Sequence, residues 1–161
     1  MLLSHVLYAE DDENDAFFMR RAFVPLAPAQ LTIVIDGSDV ISYLDGIGAY
    51  SDQTAHPRPQ LLILDIKMPE VTGLEVLAWV RSHGKFAALP IVMLTSSSQL
   101  TDIDFSRKNG ANAYLVKPSQ SRELVEVMKR LIAAVDAQQT SGDPLLAMPE
   151  NLLIEQSAKK S

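Results

Sequence analysis

The chain has 161 residues, with 14 Lys and Arg against 20 Asp and Glu, a formal net charge of −6, no cysteine and 47% hydrophobic residues. That length suits one domain burying roughly 70% of its unfolded surface, and the absence of thiols excludes disulfide scaffolds and thiolate metal sites. The acidic balance argues against binding nucleic acid, and the roughly 20-residue apolar run of a membrane span and the basic start of a secretory signal are both missing, so a cytoplasmic protein is expected.

The first apolar run, Val6–Ala9, reads as a buried strand that ends on Glu10 and Asp11. Acids then crowd together: Glu10, Asp11, Asp12, Glu13 and Asp15 fall within six residues, and the first base is Arg20. Asp12 suits a helix N-cap, and Glu13 and Asp15 suit a first turn, where negative charge is favoured. Glu10 and Asp11 precede that helix and need another explanation. The helix itself runs from Asn14 to Val24, carrying Phe17, Phe18, Met19, Ala22 and Phe23, and Pro25 stops it. A second strand, Leu31–Ile35, ends in Asp36 and leads into a helix from Ser38 to Gly46. The stretch from Gly48 to Pro59, with prolines at 57 and 59, reads as an exposed loop.

A third strand, Leu61–Leu64, ends in Asp65, and a helix from Leu74 to His83 follows, with Gly84 as its stop. The fourth strand, Ile91–Leu94, ends in Thr95 and Ser96. Its helix, Leu100 to Asn109, has the weakest pattern, and Gly110 suits the position after its end. The fifth strand, Ala113–Val116, ends in Lys117. A last helix, Ser119 to Ala137, carries Leu124, Val127, Met128, Leu131, Ile132 and Val135. From Gln138 to Pro144 the composition is that of a linker, and the tail beyond it is apolar.

Five strands that are apolar at nearly every position, alternating with five helices, predict a doubly wound parallel α/β sheet with helices on both faces. In such sheets ligands bind beyond the carboxyl ends of the strands, where the strand order switches. The residues ending the first, third, fourth and fifth strands are therefore the candidates: Glu10, Asp11, Asp65, Thr95 and Lys117. Asp36 ends the second strand, expected at the edge and further away. Three carboxylates about 5 Å apart repel by roughly 3 kcal/mol per pair at an effective dielectric of about 20. A proton or a divalent cation must relieve that. An all-oxygen set suits Mg²⁺ or Mn²⁺, and the histidines at 5, 56 and 83 have no ligand spacing. A carboxylate beside such an ion can attack a phosphoryl group, with Lys117 and Thr95 placed to meet its oxygens.

Singly, these residues have bland explanations: Asp65 as a turn acid, Lys117 as a solvated lysine, Tyr114 as a packed ring. Together, Glu10-Asp11-Asp12, Asp65-Ile66-Lys67-Met68-Pro69-Glu70-Val71-Thr72-Gly73, Leu94-Thr95-Ser96 and Tyr114-Leu115-Val116-Lys117-Pro118 resemble the receiver domain of bacterial response regulators. The resemblance covers residues 4 to about 137 and implies a flavodoxin-like strand order of 2-1-3-4-5, as in the receiver that serves as a standard instance of that order. It implies that Asp65 accepts a phosphoryl group from a phosphohistidine on a histidine kinase. Asp11, Asp65 and the backbone carbonyl of Lys67 would bind Mg²⁺ or Mn²⁺ directly, and Glu10, where many receivers have Asp, would bind it through water. Thr95 and Lys117 would contact the phosphate, Tyr114 would turn inward as Thr95 moves, and the Lys117–Pro118 bond would be cis.

The 24 residues after Ala137 are too few for a DNA-binding domain. A receiver domain over 1–137 with an extension over 138–161 is the expectation, acting by protein contact. The long loop before the third strand and the lack of an effector are similar to single-domain regulators paired with phytochrome-type histidine kinases. In the tail, Leu145, Leu146, Met148, Leu152, Leu153 and Ile154 put six apolar side chains within ten residues. Burial of one contributes roughly 1.5–3 kcal/mol, so a homodimerisation arm is expected, with folding back on its own domain as the rival. Other classes remain in competition: a phosphohydrolase with an aspartyl nucleophile, against which Lys67 stands where a second acid is often found, and a receiver-like adaptor that takes no phosphate. A nucleotide- or flavin-binding module lacks the glycine-rich loop after its first strand.

Overall fold

The computed structural model describes residues 3–141. Five strands, β1 (His5–Ala9), β2 (Gln30–Val34), β3 (Leu61–Leu64), β4 (Ile91–Thr95) and β5 (Ala113–Val116), alternate with α1 (Glu13–Phe23), α2 (Gly37–Asp45), α3 (Gly73–Ser82), α4 (Leu100–Lys108) and α5 (Ser121–Ser141). All pairings are parallel and the strand order is β2-β1-β3-β4-β5. This is the doubly wound, flavodoxin-like sheet expected from the alternation of strands and helices.

The continuous apolar runs divide by the two-residue alternation of a strand. Val6, Tyr8, Leu61, Ile63, Val92, Leu94, Ala113 and Leu115 face one layer with Met19 and Phe23 of α1 and Met128, Leu131 and Val135 of α5. Leu7, Ala9, Leu62, Leu64, Ile91, Met93 and Tyr114 face the other, with Val40, Val76, Leu77 and Val80 from α2 and α3. The three central strands, β1, β3 and β4, are thus covered on both sides, as parallel sheets require.

Capping residues set the helix starts. Asp12 accepts from the Asp15 N–H, Asp36 from the Asp39 N–H and Thr72 from the Glu75 N–H, so each helix begins one residue before its apolar pattern does. Asp36 therefore serves α2 as a cap and not the candidate site. At the other end, α5 continues through Ser141, past the linker expected from Gln138, because glutamine sustains a helix well and the break in propensity comes only at Gly142. The Gly48–Pro59 connection is mostly exposed and contains a short 3₁₀ turn, Gly48–Tyr50. It is pinned by the Tyr43 hydroxyl donating to the Pro57 carbonyl at 2.9 Å and by contacts among the rings of Tyr43, Tyr50 and His56. The apolar residues from Leu145 to Ile154, on which the dimer arm rests, lie outside the described residues.

Candidate functional site

Backbone bonds carry the sheet's ladders past the strand ends and so fix where the candidates sit. The Glu10 N–H donates to Val34 O at 2.9 Å, the Asp65 N–H to Ala9 O at 3.2 Å and the Lys117 N–H to Thr95 O at 2.8 Å. Continuing the alternation, Glu10, Asp65 and Lys117 fall on the α1/α5 side with Tyr8, whereas Thr95 and Tyr114 fall on the α2–α4 side.

The three groups on the first side meet. Lys117 Nζ donates to Glu10 Oε2 and to Asp65 Oδ2, each at 2.7 Å, and at the same distance to Asp15 Oδ2 from the first turn of α1. Glu10 and Asp65 are buried, at 1% and 5% exposure. Glu10 is held further by the Tyr8 hydroxyl at 2.9 Å and the Asp12 N–H at 3.0 Å. Glu10, exposed Asp11 and Asp65 bring carboxylate oxygens within 4.8 Å of one another. Three oxygen donors at that spacing, without His or Cys, fit a hard divalent cation. Lys67 follows two residues after Asp65 with an exposed side chain.

The charges respond to this crowding. Burial raises the Glu10 carboxyl to about 7, against the lowering effect of Lys117 and the Asp12 N–H. Burial pushes Lys117 down, but the hydrogen-bonded carboxylates of Asp15, Asp65 and Glu10 outweigh it and hold the ammonium above the usual lysine range. Tyr8 is raised by burial and by Glu10 beside it. The acid excess of the sequence is therefore partly met by a proton affinity on Glu10 and by one lysine serving three acids.

On the other side, Thr95 is fully buried, and its Oγ1 accepts from the Ser97 N–H at 3.3 Å. Tyr114 lies inward at 4% exposure and donates its hydroxyl to the Ser97 carbonyl at 2.8 Å. The loop after β4 thus joins the two residues. Gly73 lets the β3–α3 connection close onto the site: a Cβ there would lie 1.9 Å from the Asp65 carbonyl oxygen. The expected cis bond is not found. Among the described residues only Ala27–Pro28 is cis, and Lys117 reaches all three acids from a trans bond to Pro118.

Residues 6–129 match the profile of the response regulator receiver domain. The chain belongs to the response-regulator receiver family. Receivers are the phosphoacceptor modules of two-component signalling, so that role, and not one of a dedicated metabolic enzyme, is the family's. The chain is 29% identical over 140 residues to the transcriptional regulatory protein GltR of Pseudomonas aeruginosa, covering 87% of this chain but 54% of that one, and so spans about half the length of that relative. The structure described as the phosphorylated cyanobacterial phytochrome response regulator RcpA aligns with a TM-score of 0.72 at 25% identity, over 88% of this chain and 96% of that one. The Mn²⁺-bound form of response regulator Rcp1 aligns with a TM-score of 0.67 at 27% identity, over 85% and 92%.

Two residues in contact with the candidate site escaped the sequence: Asp15 and Tyr8. Tyr8 lies two residues before Glu10 and so on the same face, a signal available from the alternation alone. Asp15 is the third residue after its N-cap, where a first-turn side chain folds back toward the preceding strand. That placement accounted for its charge without a partner, and nothing in the spacing linked it to Lys117, 102 residues away.

Proposed function

We propose that this receiver is phosphorylated on Asp65 by a sensor histidine kinase and signals by protein contact, as a switch and not as an enzyme with a turnover substrate. The observation that carries the proposal is the convergence of Asp65, Glu10 and Lys117 at 2.7 Å contacts, with Asp11 beside them, at the ends of β1, β3 and β5. Asp11, Asp65 and the Lys67 carbonyl would hold Mg²⁺ or Mn²⁺, with Glu10 in its outer sphere. When bound, the ion supplies charge neutralisation for the transferring oxygens.

The chain's own groups do the rest. Asp65 presents an oxygen to the phosphorus from a buried, positioned side chain, so little orientation is left to chance. Lys117 places an ammonium against the incoming phosphoryl oxygens, where low dielectric strengthens it. Thr95 supplies a hydroxyl at the next strand end, and its movement would be transmitted through Ser97 to Tyr114, whose ring lies on the face of α4 and β5.

The name of RcpA as a phytochrome response regulator, together with the long loop before β3, supports a phytochrome-type histidine kinase as the donor. Such a kinase works in the cytoplasm, where we place this receiver. No helix among the described residues is long and apolar enough to cross a membrane. The apolar run from Leu145 to Ile154 supports a homodimer formed by an extension after a domain of 1–137. A phosphotransfer profile against purified histidine kinases tests the donor: fastest transfer from a phytochrome-type kinase is expected, and no transfer from any kinase contradicts the proposal. Truncation after Ser141, the end of α5, followed by light scattering tests the arm, and an unchanged oligomeric state would sink it.

A further inference from the structure

Lys117 ends in an ammonium with three N–H donors and no more. All three are taken: by Glu10, Asp15 and Asp65, each at 2.7 Å. Accepting the proposal that Asp65 is phosphorylated and that Lys117 meets the phosphate, a phosphoryl oxygen must take over one of these donors. The three present acceptors differ in what release would cost. Glu10 is buried, with 1% of its side chain exposed, and is bound also by Tyr8 and the Asp12 N–H. Asp65 is the residue that bears the phosphoryl group, and its side chain is 7% exposed. Asp15 is 40% exposed, and it lies with Lys117 on the wall of a cavity of about 430 Å³ between α1 and the start of α5. Its carboxylate can turn into that space and be hydrated, whereas a released Glu10 would be a buried, unpaired charge.

We propose that the Asp15 carboxylate is a placeholder for the phosphoryl group, holding the third donor of Lys117 in the unphosphorylated protein and surrendering it when Asp65 is phosphorylated. Asp15 acts through Lys117 and is a positioning residue. With an acyl phosphate as donor, an Asp65 oxygen forms the new bond to phosphorus. The bond from phosphorus to the acyl oxygen breaks, and the carboxylate leaves with the electron pair. The exchange of acceptors on Lys117 accompanies that transfer and adds to its barrier. It also favours the reverse arrangement once the phosphoryl group is in place, so Asp15 both slows phosphorylation and shortens the life of the product.

The test uses the full chain with Mg²⁺ and acetyl phosphate, following phosphorylation rate and phosphoryl lifetime in wild type, Asp15→Asn, Asp15→Glu and Glu13→Gln. Asp15→Asn keeps the Asp12 cap, which is made to the backbone of residue 15, so the helix start is retained. A half-exposed charge-assisted pair is worth about 1 kcal/mol, so loss of the competitor should speed phosphorylation about fivefold and lengthen the lifetime. Glu13→Gln removes the same charge from an exposed residue of the same turn that makes no contact with Lys117, and should leave both unchanged. Asp15→Glu, which restores an anionic acceptor, should return both toward wild type. Equal acceleration in Asp15→Asn and Glu13→Gln overturns the placeholder in favour of general repulsion of the anionic donor, and no acceleration in Asp15→Asn overturns it outright. Wild-type protein that takes no phosphoryl group overturns the prior assignment of Asp65, a different outcome from either.

Discussion

Glu10 makes the electrostatics of the site measurable without any phosphate. Its carboxyl is raised from 4.5 to about 7, chiefly by burial, so between those values the folded protein holds a proton that the unfolded chain has released. Stability changes with pH in proportion to protons bound unfolded minus protons bound folded. That difference is negative here, and the Glu10 contribution falls as pH rises from about 4.5 to about 7. At about 1.4 kcal/mol per pH unit, the full window corresponds to about 3 kcal/mol. Lys117 adds no slope in this range, because its raised pKa keeps it protonated throughout. Glu10→Gln removes the titration while keeping the side-chain length and a hydrogen-bond acceptor for Tyr8. We expect the variant to gain on wild type across the window, so that the difference in Tm, measured with chelator by circular dichroism at pH 4.5 and pH 7.5, changes by roughly 5–10 °C in favour of Glu10→Gln at the higher pH. With Mg²⁺ added, the pH-dependent difference should shrink, since a cation beside Glu10 favours the ionised form. A difference curve that is flat, or that rises in favour of wild type, would refute the burial-driven rise.

Three further outcomes follow from individual contacts. Gly73→Ala places a methyl 1.9 Å from the Asp65 carbonyl oxygen; denaturant melts should show a loss of about 3 kcal/mol, accompanied by slow phosphorylation. Tyr114→Phe removes the hydroxyl bond to Ser97 O, which should cost about 1 kcal/mol, leave phosphorylation by acetyl phosphate intact and broaden the amide signals of the loop after β4 in NMR. Asp36→Ala deletes the α2 cap, for a loss of about 1 kcal/mol in urea melts with unchanged phosphorylation, because Asp36 serves a helix and not the site.

The fold was legible because each strand is buried on both faces and leaves an unbroken apolar run, while each helix leaves an amphipathic one. The Asp12 cap of α1 was legible from the run of acids after β1, whereas the starts of α2 and α3 shifted by one residue because Asp36 and Thr72 act through hydrogen bonds that hydrophobic periodicity does not register. The end of α5 at Ser141 lay past a compositional change that looked like a linker but contains two glutamines compatible with helix. In the candidate site, Glu10, Asp11, Asp65, Thr95 and Lys117 could be named as candidates because a parallel sheet delivers its strand ends to one edge. Asp15 could not, since its contact with Lys117 joins the first turn of α1 to the end of β5 across 102 residues of sequence, and Lys117 had acceptors enough without it. The cis bond expected at Lys117–Pro118 came from the resemblance alone, and no residue nearby demanded it.

The central claim is that Asp65 is the phosphoacceptor, and chemical trapping addresses it directly. Full-length protein incubated with Mg²⁺ and acetyl phosphate, reduced with borohydride and mapped by peptide mass spectrometry should carry a single modification, at Asp65, which chelator and Asp65→Asn each abolish. An unmodified wild-type chain, or a modification mapped to Asp11 or Glu10 instead, would contradict the account.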